Sequence, residues 1–253
     1  MSSVADDIRG WMERGGRPLE MQVAAEFLRS TRAVEQAPFY ADAESGKPRE
    51  IDVVALYAGT VRPYRVSVEV ECKANAEPFI ILLPSQHDAA RNRCLSRHAR
   101  TVMPDMRHDN VAIDLNGTAV FDPSVPVGHS ILTMGKSTDD RPDKGWSAAI
   151  SAAKAAHWYA TRYDDTEHTE SHIAFPLVVT DGILATAELL SGGIEVKEVD
   201  HARFVLKWPL GDSDAVVVDV VRAAVLPLLV DAWVAAARLL LDHMQKASGV
   251  GQP

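Results

Sequence analysis

The stretch "EVECKANAEP", residues 69–78, carries the pattern on which the predicted fold depends. From residue 65 to residue 73, valines and Cys72 alternate with polar side chains, namely Arg65, Ser67, Glu69, Glu71 and Lys73. This alternation is typical of a β-strand, in which successive side chains point to opposite faces. Two carboxylates and an ammonium group therefore share one face. The pattern has two interpretations, a solvated face of an edge strand and a metal-dependent active site.

The composition predicts a soluble globular protein with one large α/β domain. The chain has 253 residues, of which 47% are hydrophobic and 24% are charged. Its net charge of −9 argues against a nucleic-acid binder that works through overall charge, although a local basic patch would suffice for phosphate contacts. Two cysteines, Cys72 and Cys94, are too few for a disulfide framework. With an N-terminus that lacks the apolar segment of a signal peptide, this favours a cytoplasmic location.

A long apolar segment near the C-terminus, "AAVLPLLVDAWVAAARLLL" at residues 223–241, requires a membrane test. It contains Asp231 and Arg238, and each charge at a bilayer centre would cost roughly 2.5–3.5 kcal/mol on insertion scales. We therefore expect a buried or interface helix and no membrane contact. The apolar surface of this helix also suggests a homodimer contact.

The first predicted core helix begins near Pro18, in "GGRPLEMQVAAEFLRS". Glu20 lies at helical spacing from an apolar stripe formed by Val23, Ala24, Phe27 and Leu28. Glu26 falls on the opposite, polar side and is expected to be solvated. A carboxylate on the buried stripe needs a partner, so Glu20 is a candidate functional residue.

Two strands are predicted next, around the polar turn "DAESGKP", followed by the strand from residue 65 to residue 73. The second of the two, "EIDVVALYAG", has Asp52 near its start. Both of its faces become apolar after Asp52, which indicates a strand covered on both sides.

The remainder of the chain predicts an insertion, a helix, further strands and the C-terminal helix. The basic segment "PSQHDAARNRCLSRHAR" could form a helix in the insertion, and "WSAAISAAKAAHWYATRY" is an alanine-rich helix. The predicted single domain, residues 1–253, has a core at 17–83 and 146–181, an insertion at 84–145, and C-terminal strands and a helix at 194–246.

Glu20, Asp52, Glu71 and Lys73 are expected to converge. Adjacent antiparallel strands place side chains of like parity on one face, and a helix packed on that face could bring Glu20 to the same spot. Carboxylates this close must be protonated, paired with a cation or bound to a metal ion. Oxygen ligands of this kind suit Mg²⁺ or Mn²⁺, and a neighbouring lysine could orient water or stabilise developing negative charge.

These residues resemble a known motif. Asp52 in "REIDVVA", followed by Glu71-Cys72-Lys73, resembles the PD-(D/E)xK motif of the restriction-endonuclease-like superfamily, and the preceding helix is similar to that of its Mrr-like and Holliday-junction-resolvase-like branches. The resemblance covers residues 17–80 and extends to the helix at 147–163 and the strand "FPLVVTD". It implies an αβββαβ core with a mixed central sheet.

The same resemblance implies a magnesium-dependent nuclease. Asp52 and Glu71 would be metal ligands, with the Cys72 carbonyl as a further ligand. Lys73 would be the catalytic lysine, and Glu20 the auxiliary acid of the first helix. The chain departs from the branch in the helix after the motif, where a glutamine is frequent and this sequence offers only Ser151 or Lys154.

Each of these residues also has a purely structural interpretation. Glu71 and Lys73 could form an exposed ion pair, Asp52 could cap a strand, and Glu20 could be a first-turn acid favoured by the helix dipole. Glu69 is interpreted as a bystander on the same face. Four arginines in the insertion could contact DNA or line a solvated helix face, namely Arg91, Arg93, Arg97 and Arg100.

Two classes of function therefore remain open. The first is a metal-dependent DNA endonuclease of a restriction or repair type. The second is a non-catalytic protein with a nuclease fold, which acts as a binding or regulatory protein or as a subunit of a larger assembly. The acidic net charge favours the second class, and the intact Asp-Glu-x-Lys set favours the first.

Overall fold

A computed structural model of the chain describes residues 3–58, 64–74, 77–84, 122, 124–135, 143–161, 171–206 and 216–247. Four α-helices lie within these ranges: α1 (Val4–Arg14), α2 (Arg17–Leu28), α3 (Lys144–Thr161) and α4 (Leu226–Ala247). A 3-10 turn, Ala223–Val225, leads into α4. Helix α1, which the sequence patterns did not predict, begins with a capping box between Ser3 and Asp6.

The described strands are short except for two ten-residue strands, β5 and β9, at the centre of the fold. In chain order they are β1 (Ala33–Gln36), β2 (Phe39–Ala41), β3 (Pro48–Glu50), β4 (Val53–Ala58), β5 (Tyr64–Lys73), β6 (Phe79–Leu82), β7 (Val127–Gly128), β8 (Ser130–Thr133), β9 (Ser171–Thr180), β10 (Leu184–Leu190), β11 (Gly193–Glu198), β12 (His201–Leu206) and β13 (Val216–Arg222).

The main sheet is mixed and has seven strands in the order β1-β4-β5-β9-β13-β12-β7. β4 pairs antiparallel with β1 and with β5, whereas β9 pairs parallel with β5 and with β13. The parallel step from β5 to β9 spans α3, as parallel neighbours require a crossover connection. β5 is therefore a central strand, and the interpretation of its polar face as the solvated side of an edge strand is wrong.

A second sheet has four strands in the order β11-β10-β6-β8, and β2 pairs with β3 in a separate hairpin. Residues 84–145, predicted as an insertion, supply β7 to the main sheet and β8 to the second sheet. The end of this segment is thus part of both sheets. Sequence patterns missed these contributions because strands of two to four residues carry little periodicity.

Helices cover both faces of the main sheet. α2 and α4 pack on the face that carries Cys72 and the alternating valines of β5. α3 packs on the opposite face, toward which Glu71 and Lys73 point. Seven alanines of α3 are fully or almost fully buried, and these small side chains let the helix approach the sheet closely.

The packing of α2 corrects three expectations. Leu28, assigned to the buried stripe, is 60% exposed. The side chain of Glu26, expected to be solvated, is only 15% exposed and pairs with Arg29 at 2.9 Å. The buried stripe consists of Leu19, Val23, Ala24 and Phe27. α2 also lies on the sheet face opposite Glu71, so the predicted packing of α2 on the polar face is wrong.

The C-terminal helix α4 buries one side in the core beside α2, as expected from its composition. Trp233 is buried there against Phe175, with ring centroids 4.8 Å apart. Within the described ranges, one helical segment, Ala223–Asp242, is long and apolar enough to cross a membrane, with a mean hydropathy of 1.9. Since 44% of this segment is buried inside the structure, and core helices of soluble proteins pass the same test, it is weak evidence for a membrane span.

Candidate functional site

Asp52 reaches the candidate site through a break in the β4–β5 ladder. If the register continued beyond Val53, Ile51 would oppose Cys72 and the two residues would exchange backbone hydrogen bonds. Instead the chain bends at Asp52, and the Ile51 N–H donates to the Pro38 carbonyl. The Cys72 N–H then donates to Asp52 Oδ2 at 2.7 Å. The Asp52 carboxylate thus substitutes for a backbone acceptor at the end of the ladder.

This geometry differs from the predicted one. The sequence pattern predicted a continuous strand whose alternation would direct Asp52 to the polar face. The strand begins only at Val53, and Ile51 packs in the cluster with Val54 instead of following the parity of Val53. A hydrogen bond to the backbone between Glu71 and Lys73, and not alternation, brings the Asp52 carboxylate to this site.

Glu71 and Lys73 lie on the α3 face of β5, at the strand's C-terminal end. Lys73 Nζ donates to Glu71 Oε1 at 2.6 Å. The Lys73 side chain is 30% exposed and the Glu71 side chain is 12% exposed. The pair is therefore mostly buried in the centre of a sheet, which contradicts the exposed ion-pair interpretation. Cys72 between them points to the other face and is buried in the core, as predicted.

Glu20 lies near the C-terminal end of β5, on a helix that packs against the Cys72 face of the sheet. It lies in the first turn of α2, where its carboxylate pairs with Arg17 at 2.6 Å. The N-terminus of this helix lies beside the end of β5, because a Cβ placed on Gly16 would come within 3.2 Å of the Ala74 Cβ. Glu20 therefore lies at the rim of the sheet, close enough to interact electrostatically with both other acids although α2 packs on the opposite face. The Glu20 charge raises the pKa of Glu71, and the Asp52 charge raises the pKa of Glu20.

The electrostatics of the site reflect three nearby carboxylates. Burial raises the pKa of Glu71 to about 7; the Lys73 ammonium opposes this rise, and Asp52 and Glu20 add to it. Burial likewise raises the pKa of Glu20. Arg17 opposes this rise, and the Asp52 charge adds to it. Burial would lower the pKa of Lys73, but the Glu71 carboxylate raises it above the ordinary value. Three carboxylates, two of them paired with Lys73 and Arg17, thus lie close together at the start of β4 and the end of β5.

The oxygen atoms at this point are of the chemical type that a hard divalent cation binds. Asp52 and Glu71 supply carboxylates, and the Cys72 carbonyl does not receive the Ile51 N–H that a regular ladder would direct to it, since that N–H donates to Pro38. These are the oxygen ligands that Mg²⁺ and Mn²⁺ prefer. No group of three or more His, Cys, Asp or Glu side chains arranged for a metal ion occurs among the described residues. Any site here would therefore depend on two carboxylates and a carbonyl.

A buried ion-pair network that sequence patterns did not predict holds the β2–β3 hairpin against α3. Asp42 is buried and pairs with Lys154 Nζ at 2.9 Å and with Arg49 Nε at 2.7 Å. Lys154 also pairs with Glu44 at 2.8 Å. Lys154, one of the two candidates in the helix after the motif, therefore faces the hairpin. At the other candidate, Ser151, the backbone carbonyl accepts from Tyr40 Oη at 3.5 Å. The sequence feature that could have indicated this network is Lys154, a charged residue among the alanines of α3.

Glu69, interpreted as a bystander, is fully buried beneath α3. Ser67 Oγ donates to Glu69 Oε1 and lies 2.7 Å from His172 Nε2. The three buried side chains form a polar chain across β5 and β9, on the same face as Glu71. The unbroken alternation of polar residues could have indicated a buried polar row, because a central strand has no solvated face.

The four candidate arginines of the insertion, Arg91, Arg93, Arg97 and Arg100, lie outside the described residues, so their contacts with DNA stay a prediction. Comparisons of the chain with protein-family models, with curated proteins and with solved structures each find no match.

Proposed function

We propose that this chain is a DNA endonuclease that hydrolyses phosphodiester bonds with the help of Mg²⁺ or Mn²⁺. The observation that carries the proposal is the hydrogen bond from the Cys72 N–H to Asp52, which holds one carboxylate beside the backbone that joins Glu71 to Lys73. Buried Glu71 and half-buried Asp52 and Lys73, at the end of a central strand, are more than a structural ion pair needs.

The order of elements supports the same proposal. α2, β1, β4, β5, α3 and β9 occur in this order along the chain, as helix, three strands, helix and strand. The small β2–β3 hairpin lies between β1 and β4, and β6, β7 and β8 lie between β5 and α3. The four strands are adjacent in the main sheet and pair antiparallel, antiparallel and parallel. This pairing supports the αβββαβ arrangement that the resemblance to restriction-endonuclease-like proteins implies.

The residues have distinct roles in the proposed reaction. Asp52, Glu71 and the Cys72 carbonyl would hold the cation, which when bound polarises the phosphodiester and lowers the pKa of water. Lys73 remains protonated at neutral pH, since Glu71 raises its pKa, and would orient water or stabilise developing negative charge on the phosphate. Glu20 would act as an auxiliary acid at the rim of the site.

Two measurements test the proposal together. Isothermal titration calorimetry should detect binding of Mn²⁺ to the purified protein, and incubation with Mg²⁺ or Mn²⁺ should cleave single-stranded, duplex or branched DNA in a reaction that EDTA stops. Absence of both binding and cleavage would refute the nuclease assignment.

The second candidate function is a binding or regulatory protein that retains the nuclease fold without catalysis. The specific observation in its favour is that the carboxylates already have partners: Lys73 pairs with Glu71, Arg17 pairs with Glu20, and Asp52 accepts the Cys72 N–H. Absence of both Mn²⁺ binding and cleavage of any of the three DNA forms would support this alternative.

A further inference from the structure

The hairpin of β10 and β11 exposes a patch of large aliphatic side chains. Ile194 and Val196 on β11 are 73% and 63% exposed, and Leu189, which opposes Ile194 on β10, is 64% exposed. Because residues two apart on a strand share a face, all three side chains lie on one side of the hairpin. Clustered exposure of this kind is typical of an interaction surface.

β11 also lies at the edge of the four-stranded sheet, and all six of its residues are exposed. The Val199 N–H donates to the Leu184 carbonyl, and the register places Lys197 opposite Thr186. Backbone groups alternate in direction along a strand, so those of residues 195 and 197 point to β10. The N–H and C=O groups of Ile194, Val196 and Glu198 therefore point away from β10, to the edge that β11 forms among the described strands.

We propose that two copies of this chain pair through β11, antiparallel and about a two-fold axis at Val196. In this register Val196 opposes Val196 of the second copy, and Ile194 opposes Glu198. Each of these outward-facing residues then donates one N–H and accepts at one C=O across the axis. The second sheet continues from one copy into the other.

The charges of β11 select this register. An axis at Val196 places Glu195 opposite Lys197 twice, on the other face from the aliphatic patch. An axis at Glu195 would oppose two glutamates, and an axis at Lys197 would oppose two lysines. Charged residues on an edge strand commonly prevent unwanted pairing. Here they permit the register with its axis at Val196 and disfavour the two registers shifted by one residue.

Sedimentation equilibrium of the full chain tests this interface. Glu195→Lys alone and Lys197→Glu alone each place like charges opposite one another twice, and each should raise the dissociation constant of the dimer by about tenfold. The double variant with both exchanges restores opposite charges and should restore wild-type association. Val196→Pro should abolish association without loss of the hairpin, because its N–H points outward and proline is tolerated at such edge positions.

Leu228→Glu on the exposed side of α4 is the matched control and should leave association unchanged. A wild-type protein that is monomeric at about 100 μM, where a dimer with a micromolar dissociation constant is largely formed, would overturn the proposal. So would a dimer that both single exchanges leave intact, a double variant that does not recover, or a dimer that Leu228→Glu disrupts. The last result would assign the interface to α4. None of these outcomes depends on whether the protein cleaves DNA.

Discussion

In the proposed mechanism, Asp52 combines a structural and a chemical contribution in one side chain. One carboxylate oxygen accepts the Cys72 N–H in place of a ladder carbonyl, so truncation of the side chain would leave that N–H without its acceptor. The charge, in contrast, is available for the candidate metal site. Asparagine keeps an oxygen acceptor and removes the charge, and it therefore separates the two contributions.

Asp52→Asn and Lys73→Met should affect the proposed activity differently. Asp52→Asn should fold normally but lose both Mn²⁺ binding in calorimetry and DNA cleavage, because it removes an anionic ligand. Lys73→Met should retain Mn²⁺ binding and lose roughly 100-fold or more in cleavage rate, because it removes the group that acts on water or on the phosphate. Glu35→Gln, an exposed carboxylate on β1, is the control and should behave as wild type. Loss of metal binding in Lys73→Met with unchanged Asp52→Asn would contradict these roles.

At the scale of elements, the β2–β3 hairpin depends on α3 for its position. The hairpin buries Asp42 and Tyr40 against this helix, and the chain that leaves it reaches Asp52 two residues after β3. Burial alone would raise the pKa of Asp42. Hydrogen bonds from Lys154 and from the Ser45 and Glu44 backbone instead hold that pKa well below its ordinary value of 3.8.

Asp42→Asn should therefore lower the free energy of unfolding, with a characteristic pH dependence. A lowered native pKa contributes stability that is fully present above the unfolded-state pKa and is lost as the pH falls through the native pKa. The loss at pH 7 should be about 3 kcal/mol, as for the breaking of a buried ion pair, and the difference from wild type should shrink as the pH falls from about 5. Urea unfolding at pH 7 and pH 3 measures both values. An equal difference at the two pH values would exclude this electrostatic explanation.

The C-terminal helix α4 is expected to stabilise the fold through its buried side. Trp233 is almost fully buried against Phe175, so Trp233→Ala should lower the free energy of unfolding by roughly 3–5 kcal/mol. Leu228→Ala, on the exposed side of the same helix, should change it by less than about 0.5 kcal/mol. Chemical denaturation without detergent gives both values. Two equally small effects would show that α4 is not part of the cooperative core.

At the scale of the whole molecule, the net charge of −9 opposes association with DNA. A nuclease of this composition needs a local basic surface to offset the repulsion. The arginines at 91, 93, 97 and 100 are the densest basic cluster in the sequence and the expected source of that surface.

Replacement of Arg91, Arg93, Arg97 and Arg100 by glutamine should weaken DNA binding and reduce its dependence on salt. For every arginine that pairs with a phosphate, the replacement should lower the slope of log K against log salt by about 0.9 on duplex DNA. Fluorescence anisotropy with labelled duplex, without divalent cations so that no cleavage occurs, measures the slope. Arg9→Gln, which affects an exposed arginine already paired with Asp6, is the control. An unchanged slope in the fourfold variant would show that these arginines line a solvated helix face.

Features that depend on local periodicity could be predicted from the sequence alone. Alternation along residues 65–73 identified β5 and placed Glu71 and Lys73 on one face and Cys72 on the other. The alanine-rich helix α3 and the apolar helix α4 were predicted to within a few residues, because helical spacing and turn residues act between near neighbours. These features needed no knowledge of what packs against them.

How these elements pack against one another could be seen only in the folded structure. The sheet face on which α2 packs, the bend that brings Asp52 to the Cys72 N–H, and the division of strands between two sheets all depend on partners far apart in the chain. Asp42 and Lys154, for example, are separated by 112 positions, and neither residue shows in its own surroundings that the other will be its partner. A local pattern reports which side of an element is apolar. Which element covers that side is set by the packing of the whole domain, because burial energy depends on the area removed from water and not on sequence distance.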